Sequence, residues 1–410
     1  MTMNESVFGR KATGPLAGLV IADFSRVLAG PYCTMLLADM GATVIKVESP
    51  AGDETRNYKP PVLGEESTYF LSVNRNKRSI VLDLTTEDDR MIAHDLAASA
   101  DVVIDNFKPG GFARFGLGYS SIAAVNPTVI YASITGFGTA GGADLPGYDL
   151  LAQAISGMMD LTGNPGGEPF RAGVAVFDVM TGLHACIGIL AALHHRDLTG
   201  EGQQVEMNLL SSALSGLVNQ TGAYALSGTV PTRMGNEHPS LYPYAPFPTA
   251  DGQIVIAVGN DSLFRALCAG IGRAELGVDE RFATAPARNH NRGELRPILE
   301  ELLSVRTASE WADLLQATGV PAAPILNVQG GVETAARLGL EPVVAAGSGE
   351  RELPGIRNPI SFSRTAPSYD WAPPVLNEGR VDVLDWLYGP PVTSDLPATP
   401  EKRNRERPTE

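Results

Sequence analysis

A single carboxylate stands at the end of an apolar run in Gly173-Val174-Ala175-Val176-Phe177-Asp178-Val179-Met180-Thr181-Gly182, and a helix-forming stretch, Thr181 to His195, follows it. Two chemistries suit an aspartate in that place. It can cap the helix, because its oxygens accept from the free N–H groups of the first turn and its charge meets the positive end of the helix dipole. It can also be a nucleophile that carries a covalent acyl intermediate. The segment alone does not separate the two.

Three loops have the composition of an anion site. Ser25-Arg26-Val27-Leu28-Ala29-Gly30-Pro31 leaves a strand and enters a helix, and helix N-termini after strands favour phosphate groups. Asn74-Arg75-Asn76-Lys77-Arg78 gathers cations between amides in an acidic protein, with a solvated turn as the plain alternative. Asp105-Asn106-Phe107-Lys108-Pro109-Gly110-Gly111, with Arg114 just after, lies past the carboxyl end of a strand, where open α/β sheets bind ligands. Together they describe a site for a large phosphate-bearing ligand with a ring that meets Phe107. Glu48 is a candidate for the ribose of such a ligand. Asp149 and Asp160 are rival carboxylates, read as a helix N-cap and a surface group.

Other chemistries are missing from the sequence. There is no G-x-x-x-x-G-K-S/T phosphate loop, no G-x-G-x-x-G opening the first helix and no G-x-S-x-G nucleophile elbow. The histidines show no H-x-x-x-H or H-E-x-x-H spacing, so no metal is expected. A net charge of -15 opposes nucleic acid and anionic membrane as partners but leaves room for a local basic pocket. No apolar run approaching the roughly 18 residues of a bilayer span is expected. Cys33, Cys186 and Cys268 are few and far apart, and Met1 to Thr13 is polar, which together point to a reducing, cytoplasmic setting.

These groups need a frame. Apolar and β-branched runs predict strands at Leu19–Ala22, Thr43–Val47, Ser79–Leu82, Asp101–Ile104, Thr128–Ile134 and Gln204–Met207. Between them the pattern predicts helices at Pro31–Met40, Thr86–Ala98 with Thr86 as N-cap, Tyr148–Thr162 and Val179–His195, then Leu209–Ala225. This alternation predicts an α/β fold with a mostly parallel sheet covered on both faces. A chain of 410 residues suits two domains. The texture divides it into a flexible N-terminus over 1–14, a large domain over 15–225, a Pro-rich linker with a small α/β domain over 226–330, a loop-rich return over 331–392 and a disordered tail over 393–410.

Read in order, several blocks resemble one family. They are Arg26 to Pro31, Gly41 to Glu48, Gly52-Asp53-Glu54-Thr55-Arg56, Asn74 to Ser79, Asn106-Phe107, Ser133 to Gly138, Gly147-Tyr148-Asp149 and Thr199 to Gln203. The chain resembles the class III coenzyme A transferases, the formyl-CoA transferase and carnitine-CoA-transferase-like family, from about Pro15 to Trp386. The stretch Glu66 to Lys77 is most similar to the succinyl-CoA:dicarboxylate enzymes within it. The resemblance implies a Rossmann-like large domain whose parallel sheet is formed from both chain ends, a smaller α/β domain, and an interlocked homodimer.

It also implies roles. Asp178 is the catalytic carboxylate, kept ionised by helix N–H groups. Arg26, Val27, Leu28 and Ala29 hold the nucleotide end of CoA, and Lys77, Asn106, Phe107 and Arg114 line its site. Thr135 and Phe137 run beside the thioester, with Gly136 and Gly138 as oxyanion donors. Arg75 or Arg171 pairs with a distal carboxylate. CoA or acyl-CoA is substrate, and no permanently bound cofactor is implied. The chain departs from the family pattern in lacking the glycine-rich loop, with Gly235 to Pro239 in its place, and in reading Leu376-Asn377-Glu378-Gly379 where L-G-E-H is usual. Two alternatives stand beside this reading. An α-methylacyl-CoA racemase shares the fold but needs two acid/base groups and a histidine before the Asp, where this chain has Tyr148, whose ordinary pKa is about 10; His238 keeps that reading open. A non-catalytic acyl-CoA-binding protein would have no need of Asp178.

Overall fold

Six short runs of mainly aliphatic residues form one sheet: β1 (Val20–Asp23), β2 (Thr43–Glu48), β3 (Lys77–Val81), β4 (Val102–Asp105), β5 (Ile130–Thr135) and β6 (Gln203–Asn208). Every pairing is parallel, in the order β3-β2-β1-β4-β5-β6. Strands β1, β2 and β4 are buried at every position, as a parallel sheet covered on both faces requires. The computed structural model describes residues 13–389 and Phe8, so the tail over 393–410 and the rest of the N-terminus lie outside the described residues.

Helices cover the two faces. α1 (Ala29–Asp39) and α5 (Val176–Thr199) pack on one, where Cys33, Leu37, Ala185 and Ile189 meet Ile21, Val44, Ile104 and Ile130. α2 (Glu87–Ser99) and α3 (Tyr119–Val125) cover the other, where Ala93, Leu96 and Ile122 meet Ala22, Ile45, Val103 and Tyr131. Thr86 caps α2 through the N–H of Asp89, as its position in the sequence predicts. Strand order reverses between β1 and β4, so a crevice opens at their carboxyl ends. α4 (Asp149–Ile155) and α6 (Leu209–Gly216) follow β5 and β6 at that same edge.

The chain divides into two units: Met1–Ser156, Ala172–Gly222 and Glu341–Glu410 form the first, and Gly157–Arg171 with Ala223–Leu340 form the second. The boundaries read from texture therefore move from 225 to 222 and from 330 to 340, and 157–171 passes to the second unit. That unit has a three-stranded antiparallel sheet, Tyr244–Pro248, Gln253–Ala257 and Ala322–Pro324, packed with helices such as Asp261–Gly270 and Ala308–Ala317 around its own apolar core.

Several expectations change, one being that the helix expected over Leu209–Ala225 breaks into Leu209–Gly216 and Asn219–Ser227, with Val218 at φ +37 between them. The parallel sheet is not built from both chain ends: all six strands precede residue 209, and the return only covers the β3 edge, where Gly379 N–H donates to Ser79 O. The return itself carries an antiparallel hairpin, Val343–Ser348 with Arg351–Ile356, where loop was expected. The helix expected over Tyr148–Thr162 breaks at Gly157, whose φ of +90 suits a glycine. α5 is longer than expected, 24 residues, and by length and composition alone it is long and apolar enough to cross a membrane. One face of the helix is core, while Leu183 and Ile187, off that face, are 41% and 63% exposed.

Candidate active site

The floor of the crevice is a set of buried charges. Lys46, on β2, pairs with Asp53 at 2.8 Å with both side chains fully buried, and its ammonium donates to Ser25 O at 3.1 Å. Asp53 accepts from Val27 N–H at 3.3 Å. The loop leaving β1 is thus held from beneath, and Val27 takes φ +68, a left-handed conformation that a β-branched residue rarely adopts. Burial alone would raise the Asp53 carboxyl; Lys46 and the Thr55 hydrogen bonds outweigh it and hold it down to about 2.

Two loops meet at the switch point. Arg26 N–H donates to Asn106 Oδ1 at 2.9 Å, and Asn106 Nδ2 donates to Arg26 O at 2.8 Å. The Arg26 guanidinium stands 5.4 Å from the Phe107 ring centre and pairs with Glu54 at 3.2 Å. Phe107 stacks on Phe112 at 4.9 Å, and its N–H donates to Asp105 at 3.0 Å. Burial pushes the Asp105 carboxyl up to about 6.

Asp178 stands in the first turn of α5, whose N-cap is Ala175, a residue with no capping oxygen. The cap comes from elsewhere: Asp149 Oδ1 accepts from the N–H groups of Phe177 and Asp178 at 2.8 and 3.1 Å. One turn on from Asp178, Gly182 meets α1 backbone to backbone; a Cβ there would lie 2.5 Å from Ala29 O. Gly136 and Gly147 make a second such contact, where a Cβ on Gly136 would lie 2.4 Å from Gly147 Cα. This pins the loop after β5 to the start of α4.

The result is a cavity of about 80 Å³ on which Ala29, Asn106, Phe107, Thr135, Gly136, Gly138 and Asp178 converge. Residues far apart in sequence and singled out separately there share one wall. Lys108, Pro109, Ile134, Gly142, Ala143, Leu145, Gly147 and Leu209 complete it. Lys108 and Pro109 belong to the loop read from sequence as an anion site, and Ile134 and Gly147 to family blocks; Gly142, Ala143, Leu145 and Leu209 had no role in the sequence reading, and only the fold brings them there. Tyr69, which is not on that wall, also had no role in the sequence reading. Burial, followed by the charge of Asp178, pushes its hydroxyl up to about 12. Burial, and then the charge of Asp149, pushes the Asp178 carboxyl up to about 7. Asp178 is therefore neither the helix cap nor held ionised by helix N–H groups, since Asp149 takes those.

Other expectations are corrected. Lys77 is 0% exposed and donates to Asp23 at 3.2 Å, Pro31 O at 2.9 Å and Asn74 at 2.9 Å, so it cannot line a CoA site in this structure. Its burial lowers the ammonium to about 8. Arg75 is buried against Asp39 at 2.6 Å and Ile356 O at 2.8 Å, which leaves no fork for a substrate carboxylate. The Asn74 to Lys77 segment is a core charge network and not a solvated anion loop. Glu48 is likewise internal, bound by Arg56 at 2.7 Å and Ser79 at 2.6 Å. Gly138 N–H donates to Thr135 Oγ1 at 3.1 Å, so it is not an oxyanion donor as placed. Leu28 is buried, Arg114 is exposed over Phe115, Phe137 packs against Gly142, and Tyr148 is exposed. Arg171 and His238 belong to the second unit; Arg171 is exposed, and His238 Nδ1 accepts from the N–H groups of Ser240 and Leu241.

A half-buried carboxylate beside a crevice at the switch point of a 3-2-1-4-5-6 sheet, with cations on its rim, stands where open α/β sheets bind ligands and has the charge to meet an anionic one. Residues 16–380 match the model of CoA-transferase family III, and the chain belongs to that family. It is 43% identical to the succinate–glutarate CoA-transferase of Agrobacterium fabrum, covering 94% of this chain and 98% of that one. It is 44% identical to the human succinyl-CoA:glutarate CoA-transferase over 77% of this chain and 72% of the human one. Among solved structures, a CAIB/BAIF family protein from Brucella suis aligns with a TM-score of 0.83 at 42% identity, covering 92% of this chain and all of that one.

Proposed function

We propose that this enzyme moves coenzyme A from succinyl-CoA to a second dicarboxylate through a covalent Asp178 intermediate. The Asp178 carboxylate attacks the donor thioester carbonyl, giving an acyl-aspartyl anhydride and CoA thiolate. The thiolate attacks the aspartyl carbonyl, releasing the donor acid and leaving an aspartyl-CoA thioester. The acceptor carboxylate attacks that thioester, and the returning thiolate forms the new acyl-CoA and frees Asp178. One thioester replaces another, so no energy-rich co-substrate is consumed.

The observation that carries this reading is the place of Asp178: on the cavity wall shared with Asn106 and Phe107, with no hydrogen bond to its carboxylate among the described residues. A raised carboxyl makes a more basic, and so better, nucleophile once ionised. The names of the relatives, transferring between succinate and glutarate, support the dicarboxylate class. The exposed apolar side chains of α5, Leu183 and Ile187, support burial against a second copy in a homodimer. Incubation with a panel of acyl-CoAs, followed by mass spectrometry of the Asp178 peptide, tests the mechanism and reads out the donor. Transfer with no adduct at Asp178 under rapid quench sinks it.

A further inference from the structure

The first turn of α5 cannot cap itself, because Ala175 has no side-chain acceptor. An uncapped helix start leaves several N–H groups unsatisfied, and an acidic residue in its own first turn is the nearest carboxylate to them. That residue is Asp178. Its oxygens would then be engaged with the helix and its basicity lowered, which is the wrong state for attack.

Asp149 removes the conflict. Its Oδ1 takes the N–H groups of both Phe177 and Asp178. Its Oδ2 accepts from Gln153 Nε2 at 2.5 Å. Gln153 is fully buried, its Nε2 also reaches Val174 O at 3.3 Å, and its Oε1 accepts from Ala172 N–H at 2.8 Å. Only an amide can donate to Asp149 and Val174 while accepting from Ala172. The pair thus holds both the approach to α5 and its first turn, and the carboxylate of Asp178 remains unengaged on the cavity wall.

We propose that Asp149, oriented by Gln153, is the positioning residue of this enzyme: it caps α5 in place of Asp178, keeping the nucleophile free and close to a second negative charge. This rests on the reading of Asp178 as nucleophile. The titratable and charged groups that face Asp178 are Asp149 from α4, Tyr69 from the Thr68–Val73 helix, and Lys108 on the cavity wall.

The test is rapid-quench trapping of the Asp178 adduct with succinyl-CoA in the full-length protein, for wild type, Asp149→Ala and Asp149→Asn, beside steady-state pH profiles. In Asp149→Ala the adduct should form about 10- to 100-fold more slowly while KM for acyl-CoA stays within about 3-fold. Asp149→Asn keeps an acceptor oxygen but no charge, so its rate should fall between the two, and its acid limb should move down by about half a pH unit or more. An unchanged rate and acid limb in both variants overturns the proposal. So does a slower rate accompanied by equal losses in acyl-CoA binding and melting temperature, which marks a structural role alone. Absence of any adduct on wild-type Asp178 removes the nucleophile reading instead, and this inference with it.

Discussion

Arg26 and Asn106, 80 residues apart, exchange two hydrogen bonds across the point where the strand order reverses, at 2.9 and 2.8 Å. The side chain of one residue thus completes both backbone groups of the other. An amide suits this because its acceptor oxygen and its donor nitrogen are separate atoms that reach the two backbone groups at once. Asn106→Ala should free the Arg26 loop and raise KM for acyl-CoA about 10-fold, in line with the loss of one or two hydrogen bonds, while kcat changes less. Asn106→Asp, which keeps the acceptor and loses the donor, should fall between. Equal falls in kcat for both variants with KM unchanged would contradict this assignment.

Asp178 sets the pH response. Its carboxyl sits near 7, so transfer should fall as pH drops through about 7 and the nucleophile takes up a proton. Stability runs the other way. A folded-state pKa above the unfolded value makes the folded protein bind the proton more tightly, so this contribution is full below about 4 and is lost as pH rises through 7. Asp178→Asn should therefore abolish the adduct, leave acyl-CoA binding in place, and raise the melting temperature above pH 7 but not at pH 4. A variant that retains transfer, or gains nothing in stability at pH 8, speaks against this account.

Asp53 behaves oppositely. Its carboxyl is held near 2, so its stabilisation is present above about 4 and is lost as pH falls from there toward 2. Lys46→Met leaves Asp53 buried without its partner and should cost about 3–5 kcal/mol in urea unfolding at neutral pH. Val27→Gly should be tolerated, because glycine adopts φ +68 without strain, and should preserve acyl-CoA affinity.

Gly182→Ala puts a methyl 2.5 Å from Ala29 O, so α5 must move off α1. Asp178 is one turn away on the same helix, and a displacement of about 1 Å at a reacting atom can cost on the order of 100-fold in rate. Kinetics with an intact melting curve would show the effect; unchanged kcat would mean that the helices absorb the methyl elsewhere.

Much of this arrangement was legible before the structure. Strand and helix alternation fixes β1 to β6, because both signals are local. The blocks around Arg26, Asn106 and Asp178 were each marked by residue type and that around Thr135 by the family resemblance alone, and the fold brings members of all four to the crevice. Asn74 to Lys77 misled for a physical reason: cations in an acidic chain look like a ligand site until their buried partners, Asp23 and Asp39, are seen. The role of Asp149 was hidden because capping is normally read along the chain, and here the cap crosses from one helix to another. The hairpin Val343–Ser348 with Arg351–Ile356 was missed because Gly347, Gly349 and Pro354 read as loop.

The interior placement of Lys46, Lys77 and Arg75 has an outcome in solution. Each is matched by one buried acid, so these pairs cancel and the whole net charge of -15 is carried by the other charged groups. A polyanionic thioester approaching from bulk water is repelled until it reaches the outward-facing bases at the crevice, Arg26 and Lys108. Moderate ionic strength should then speed capture by shortening the range of that repulsion, and only higher salt should weaken the grip of the rim. Association rates measured across a salt series should pass through a maximum, a signature that a basic-surfaced enzyme would not give.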